Sequence, residues 1–280
     1  MRIRFRSATN VDEAVRFIEA LAVNIYNDAL ATRPDTTPND RRDHYVRWFN
    51  HTEKQLTTFF NRDAVLEIME TPRHRDICLM PGAPHLWFSI NAEVDAKAEA
   101  FRWLGEQISN ERERLRAAPD RRPSILDSNV LLQCLLLDQI PWRSIVGETA
   151  RLMIPLRVLE ELDQKKYGDS ERLRDVARGV LSWIEDRFAD STWGPVPVGG
   201  ADESTVELLF PDSPRYKPTD ADEEVLDVFD QVHAFAPSAV LVTGDKAMRL
   251  RARARECAVA EIPLKYRRIR QTASAVPEGE

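Results

Sequence analysis

The chain reads as an all-helical N-terminal half followed by an α/β domain: a three-layer α/β/α arrangement around a central parallel sheet. Three observations predict this. Two short aliphatic runs, Ser124–Leu126 and Ala239–Val242, lie between helix-like segments, and one stops at Asp127, the other at Thr243-Gly244-Asp245. Strands buried on both faces of a parallel sheet read as such continuous apolar runs rather than as alternation. Between and after these runs, strand-like and helix-like patterns alternate, which implies right-handed crossovers and a sheet covered on both faces. Before them, apolar residues recur at helical spacing.

Taken in order, Asn10 with Glu13 resembles a capping pair, and Val15, Phe17, Leu21, Ile25 and Leu30 give the first helix its apolar face. Tyr45, Trp48, Phe49, Leu56, Phe59 and Phe60 recur at spacings of three, four and seven and mark a second helix face. Pro72, Pro81 and Pro84 break the pattern, and a third helix is expected from about Ala92 to Ala118. Residues 118–123, with Pro119 and Pro123 among charges, read as the boundary between domains 1–117 and 124–265. Beyond it the expected elements are strand 124–127, a helix from Asn129, strand 151–154, helices 156–166, 170–188 and 220–234, strand 239–243, helix 245–255 and strand 257–262. The stretch 190–218, with Trp193 to Gly200 rich in proline and glycine and a strand-like Thr205–Phe210, reads as an insertion or lid loop. Residues 266–280 read as a flexible tail, frayed from Gln271 onward.

Composition bounds the class. A chain of 280 residues exceeds the usual single-domain size, and its 43% hydrophobic residues suffice for a sizeable core. No apolar stretch approaches the roughly 20 residues that span a bilayer, and no apolar leader follows the basic N-terminus, so a cytoplasmic protein without membrane contact is expected. Cys78, Cys134 and Cys257 are too widely spaced for a zinc cluster and are odd in number, which suits free buried thiols. The five histidines, His44, His51, His74, His85 and His233, show no metal-ligand spacing, and the N-terminal Trp48, Trp87 and Trp103 read as core rather than as base-stacking platforms. The net charge of −7 argues against a protein that coats nucleic acid indiscriminately. That charge is uneven: 13 Lys/Arg face 23 Asp/Glu from Arg121 to Asp245, whereas 9 basic residues accompany 2 acidic ones from Lys246 to Arg270. An acidic region followed by a basic one suits a site that handles phosphodiesters with the help of cations.

Ligands of open parallel sheets gather at the carboxyl ends of the strands. Asp127 and Asp245 fall there, more than a hundred positions apart in sequence. Glu161 follows the strand 151–154 within the first turns of a helix, and Asp220 or Asp222 opens another helix, where either also suits backbone capping. Oxygen ligands without His or Cys favour Mg²⁺ or Mn²⁺ over zinc. On the helix after Asp245, the arginines at 249, 251, 253 and 255 are spread around the axis, leaving one or two to reach phosphate.

Four segments together resemble the PIN domain, a family of metal-dependent nucleases that includes toxins of bacterial toxin–antitoxin pairs. Ile125-Leu126-Asp127-Ser128-Asn129-Val130 is similar to its opening motif, Pro155 to Lys166 to its second, Asp222-Glu223-Glu224-Val225-Leu226 to its third, and Val240 to Arg249 to its fourth. The resemblance covers about 121–265 and leaves the N-terminal half unassigned. It selects Glu161 over Glu160 and Asp222 over Asp220. It implies that Asp127, Glu161, Asp222 and Asp245 hold Mg²⁺ or Mn²⁺ and carry hydrolysis of RNA to 5′-phosphate products. Asn129 would then orient Asp127 or a bound water, unless it caps the following helix; Thr243 would support Asp245, and Arg178 and Arg249 are the candidates for substrate contact. An inhibitory protein partner or a second copy of the chain are further expected partners, with the fused helical half as a place to bind them. The rival readings are a degenerate PIN-like module that binds RNA or protein without cutting, and a phosphatase or receiver-type site. The last would place a second aspartate two positions after the first, where this chain has Asn129.

Overall fold

The computed structural model describes residues 5–6, 9–31, 36–80, 85–190, 194–200, 202–210 and 220–268. Trp193 and residues 269–280 of the expected tail 266–280 lie outside these residues; its first residues, 266–268, are not a flexible tail, because the Tyr266 carbonyl accepts the Leu135 amide at 2.8 Å and the Arg268 amide donates to the Gln133 carbonyl at 2.7 Å. The chain divides into two compact units, one of Met1–Pro119 with Asp230–Pro237, the other mainly Asp120–Phe210, Tyr216–Phe229 and Ser238–Glu280.

The first unit is helical: α1 (Val11–Leu30), α2 (Pro38–Phe59), α3 (Arg62–Met69), α4 (Pro72–Leu79) and α5 (Leu86–Arg116). Asn10 caps α1 by accepting from the amide of Glu13, and Thr37 with Asp40 forms a reciprocal capping box on α2. The apolar stripes meet in one core, where Ile18, Ile25, Tyr45, Leu56, Phe101 and Ile108 are fully buried. Pro72 does not break a helix but starts one, at the first helical position where its missing amide leaves no bond unmade. The long helix begins at Leu86, six residues before the expected start, because Leu86 and Ile90 extend its apolar face. Glu93 and Lys97 form a buried pair on it, with Lys97 donating to the Ile68 carbonyl at 2.7 Å and Thr71 donating to Glu93 at 2.7 Å. Trp48 is buried, Trp87 lies under the Arg41 guanidinium at 4.3 Å, and Trp103 is 38% exposed.

The second unit contains β1 (Arg121–Leu126), α6 (Ser128–Gln133), α7 (Trp142–Val146), β2 (Thr149–Pro155), α8 (Leu156–Lys165), α9 (Glu171–Phe188), β3 (Val196–Pro197), β4 (Thr205–Leu209), β5 (Val240–Val242), α11 (Lys246–Ala254) and β6 (Val259–Ala260). Between β4 and β5 runs α10 (Ala221–Phe235), whose last residues cluster with the helical unit. The sheet order is β3-β4-β2-β1-β5-β6, with every pair parallel except the short edge strand β3 against β4. Helices α8 and α9 pack on each other and on α6. The three-layer α/β/α expectation with a mainly parallel sheet holds.

Two boundaries differ from expectation. Residues 121–123 are strand, not linker: Arg121 pairs with Thr149 and Pro123 with Arg151. The stretch 190–218 is not simply an insertion or lid loop, because Thr205–Leu209 is an integral strand, in register with Arg151–Pro155. Glu207 on this strand and Arg151 on β2 form a buried pair through two parallel bonds of 2.8 and 3.0 Å, which explains how a charged residue sits inside the sheet. The turn into β4 depends on Gly200, whose φ of +85° brings it so close to the Asp138 carbonyl that a Cβ would lie 2.2 Å from that oxygen. The cysteines are free; Cys134 and Cys257 are buried and Cys78 is half-buried. No described helix is long and apolar enough to cross a membrane.

Candidate active site

Chain direction over the sheet reverses between β1 and β5: from β1 the connection runs to β2 on one side, while β5 lies on the other. In doubly wound sheets the crevice at the carboxyl ends of two such strands is where ligands bind. Register places two of the sequence-predicted residues at its mouth. Leu126 lies opposite Val242, so the residues that follow, Asp127 and Thr243, leave the sheet side by side. The Asp127 amide donates to the Val242 carbonyl at 3.2 Å, continuing the ladder one step past the strands.

Asp127 is 4% exposed and its carboxylate is held by three side chains. Thr243 Oγ1 donates to Oδ2 at 2.7 Å, Asn129 Nδ2 donates to the same oxygen at 3.3 Å, and Ser128 Oγ donates to Oδ1 at 3.4 Å. Asp127 stands at the cap position of α6 but makes no side-chain capping bond, so its carboxylate is left to these partners. Asn129 lies inside α6 rather than at its cap. It turns its amide nitrogen to Asp127 while its Oδ1 accepts from Gln133 at 2.9 Å, which fixes the amide's orientation.

Thr243 links two aspartates. Completely buried, it donates to Asp127 and accepts the backbone amide of Asp245 at 3.0 Å. Asp245 caps α11, its Oδ1 accepting from the amides of Ala247 and Met248 at 2.6 and 3.1 Å. Its placement is thereby rigid, with one carboxylate oxygen committed to the helix.

Asp222 comes from the first turn of α10, whose start is capped by Asp220: Asp220 Oδ1 accepts the Asp222 amide at 3.0 Å. The choice between these two aspartates therefore resolves into two jobs, capping for Asp220 and a side chain presented to the site for Asp222. Burial pushes the Asp222 carboxyl above its ordinary value, and the charges of Asp220, Asp127 and Asp245 push the same way, with Arg251 opposing. The three sequence-predicted aspartates thus share one electrostatic neighbourhood.

Glu161 is not joined to them. It is half-exposed on α8, and among the described residues it makes no hydrogen bond or ion pair, while its neighbour Glu160 pairs with Arg157 at 3.1 Å. Arg178 lies on α9, exposed and 3.6 Å from Asp175, and no contact ties it to the aspartates. Arg249 pairs with Glu261 instead of facing the acidic cluster.

The cation that does face the cluster is Arg251, at 2.9 Å from Asp220, 3.4 Å from Asp222 and 3.9 Å from Glu223. Arg255, one turn further, pairs with Glu223 and with Asp227 at 3.3 Å. Sequence reasoning named these two among the arginines of the helix but singled out Arg249, yet the signal was present: Arg251 and Arg255 are four apart, as are Glu223 and Asp227, and two helices with matching stripes of opposite charge pair along one line.

Among the described residues no three His, Cys, Asp or Glu side chains stand close enough together to grip a metal ion. The donor chemistry is nevertheless that of a hard divalent ion: carboxylate oxygens, with mutual repulsion registered at Asp222 that a cation would relieve.

The fold and site define a doubly wound α/β domain with carboxylates gathered at its switch point. Residues 124–262 match the family model described as PIN domain, so the second half of this chain belongs to the PIN domain family, whose fold is nuclease-like and whose members typically use divalent metals. The matched span falls inside the 121–265 expected from the motifs, and the N-terminal half is left unmatched. No curated protein matches the chain.

Proposed function

We propose that the protein is a Mg²⁺- or Mn²⁺-dependent endoribonuclease that hydrolyses RNA phosphodiesters and leaves 5′ phosphates. The observation that carries this reading is the linkage of Asp127 to Asp245 through buried Thr243, with Asp222 close enough for both carboxylates to destabilise its charged form. Asp127, Asp222 and Asp245 would hold the ion, and Glu161, from the helix that follows the adjacent strand, would complete the ligand set or position water. When bound, such an ion polarises the scissile phosphate and lowers the pKa of a bound water. Thr243 and Asn129 hold the Asp127 carboxylate by donating to its Oδ2. The capping bonds of Asp245 hold its carboxylate at the end of β5, so neither aspartate must be reorganised when charge develops on the phosphate.

The test is purified protein on end-labelled single-stranded RNA with Mg²⁺, Mn²⁺ or a chelator, beside Asp127→Asn and Asp245→Asn. The expected result is cleavage that requires the ion, yields 5′-phosphate ends and is lost in both variants. Cleavage that persists in them would overturn the assignment of the site.

A second reading, a PIN-like module that binds RNA or protein without cutting, is favoured by one observation: Arg251 stands 2.9 Å from Asp220 and 3.4 Å from Asp222, a protein cation beside a carboxylate assigned to the ion. It predicts RNA binding with no cleavage, and no Mn²⁺ binding by either the native protein or Arg251→Ala.

A further inference from the structure

The helix that starts at Asp245 carries five cations in ten residues, Lys246, Arg249, Arg251, Arg253 and Arg255, and the fold sorts them into two groups. Arg251 and Arg255 are consumed by the carboxylates at the start of α10. Lys246, Arg249 and Arg253, spaced at i, i+3 and i+7 and therefore on one face, line a cleft of about 340 Å³ between α11 and β6. Leu250, 67% exposed, and Val259 supply apolar wall, and Glu261 is the single acid in the lining. Glu261 is shared by Arg249 and by Arg267, the latter at 2.7 Å, and these bonds hold its carboxyl below the ordinary range. The lining thus holds three cations and one carboxylate, and that carboxylate is taken by Arg249 and Arg267. Among the described residues, the side chains of Lys246 and Arg253 make no hydrogen bond or ion pair.

These unpaired cations share one helix face within the basic segment that follows Asp245. Their position gives them a use, because Lys246 is the residue after Asp245, so the near end of the cleft adjoins the acidic crevice. The two free cations are seven residues apart, about 10 Å along a helix. They can therefore contact successive parts of one strand but not a single small anion.

We propose that this cleft is the track for the sugar–phosphate backbone of single-stranded nucleic acid leaving the acidic crevice, with Lys246 and Arg253 as phosphate contacts and Leu250 against sugar or base. This rests on the nuclease reading and deepens it: of the basic residues, those on this face of α11 bind substrate, while Arg251 and Arg255 serve the fold.

The experiment separates binding from cleavage. Fluorescence anisotropy of labelled single-stranded RNA, and of DNA of the same sequence, is measured in chelator, where no hydrolysis occurs, for the native chain, Lys246→Glu/Arg253→Glu, the milder Lys246→Ala/Arg253→Ala, and Lys165→Glu. Lys165 is an exposed cation at the end of α8 remote from the carboxyl edge of the sheet. Thermal melts confirm that each variant folds. The expected result is at least a roughly tenfold weaker Kd for the charge reversal, a smaller loss for the alanine pair, and no change for Lys165→Glu. The salt dependence should flatten by about 1.4 in log–log slope when two single-strand phosphate contacts are lost. Binding of both oligonucleotides means the backbone is read; binding of RNA alone adds contacts to the 2′-hydroxyl. Unchanged affinity in folded double variants would overturn the track even if Asp127→Asn abolishes cleavage, in which case the nuclease reading stands alone. Binding of acidic polypeptide in place of nucleic acid would overturn it equally.

Discussion

Replacing Thr243 with valine is the sharpest probe of how the acidic crevice is held together. The side chain is completely buried, and valine keeps its branching while deleting one donor and one acceptor. The lost donor bond is the 2.7 Å contact to the Asp127 carboxylate, and hydrogen bonds to charged groups contribute about 1.5–3 kcal/mol. The lost acceptor leaves the Asp245 amide without its partner, a further penalty of about 1 kcal/mol, at the low end because Asp245 is half-exposed and water can reach it. Together these give about 2.5–4 kcal/mol, or a Tm lowered by about 5–15 °C for a unit of this size. Thr243→Ser, which keeps the hydroxyl, should recover most of the loss. The assay is urea and thermal unfolding, closed into a cycle with Asp127→Asn. If Thr243 acts through Asp127, the two losses are non-additive by about 1 kcal/mol or more. A valine variant that melts with the native protein, or losses that add within about 0.5 kcal/mol, would show that the hydroxyl does not hold Asp127 and would remove the link between the aspartates.

Three further outcomes follow from the same structure. The Asp222 carboxyl is raised, so between its ordinary value and the raised one the folded protein binds a proton that the unfolded chain has released. Native stability should therefore fall as pH rises through that window; Asp222→Asn should melt at or above the native temperature at pH 7, and the gap should close in acid, as thermal scans across pH can read. Arg151→Met should cost about 3–5 kcal/mol by stranding buried Glu207, while Arg151→Met/Glu207→Leu should recover most of it; equal losses in urea melts would mean that the pair is not a unit. His74, stacked on Phe49 at 3.5 Å and bonded to Tyr45 at 3.0 Å, has its pKa lowered by burial, so the unfolded chain takes the proton first as pH drops below about 6.5. The helical unit should lose stability from that pH downward, and His74→Gln should flatten the dependence in circular-dichroism melts.

What could be read from the sequence follows from which interactions are local. Strands buried on both faces must be apolar throughout, so β1 and β5 were visible as runs, and the aspartates ending them were visible as interruptions. The contacts of Asn129 with Asp127 and of Thr243 with the Asp245 amide are local in the same way, since each residue lies two positions from the aspartate it touches. The amphipathic stripe of α2 was legible because its period is set by the helix itself. By contrast, β4 was legible as a strand-like run but not as part of the sheet, because that membership depends on Arg151, more than fifty positions away, to neutralise Glu207. Arg251 was named but not singled out, because single-helix geometry says only that arginines at 249, 251, 253 and 255 point in different directions. Which of them meets acid and which meets open solvent is decided by α10 and β6, two elements on either side of α11 that sequence spacing cannot position. The same limit explains Arg249: it carries the right charge for a substrate contact, but a partner beyond its own helix, Glu261, takes its guanidinium, whereas Arg178 meets only Asp175, three residues before it on α9. Charge type is written in a residue, whereas availability of that charge is a property of the packed neighbours. For this site the unpaired cations Lys246 and Arg253, rather than the most numerous or best-spaced ones, are therefore those through which substrate recognition should be sought.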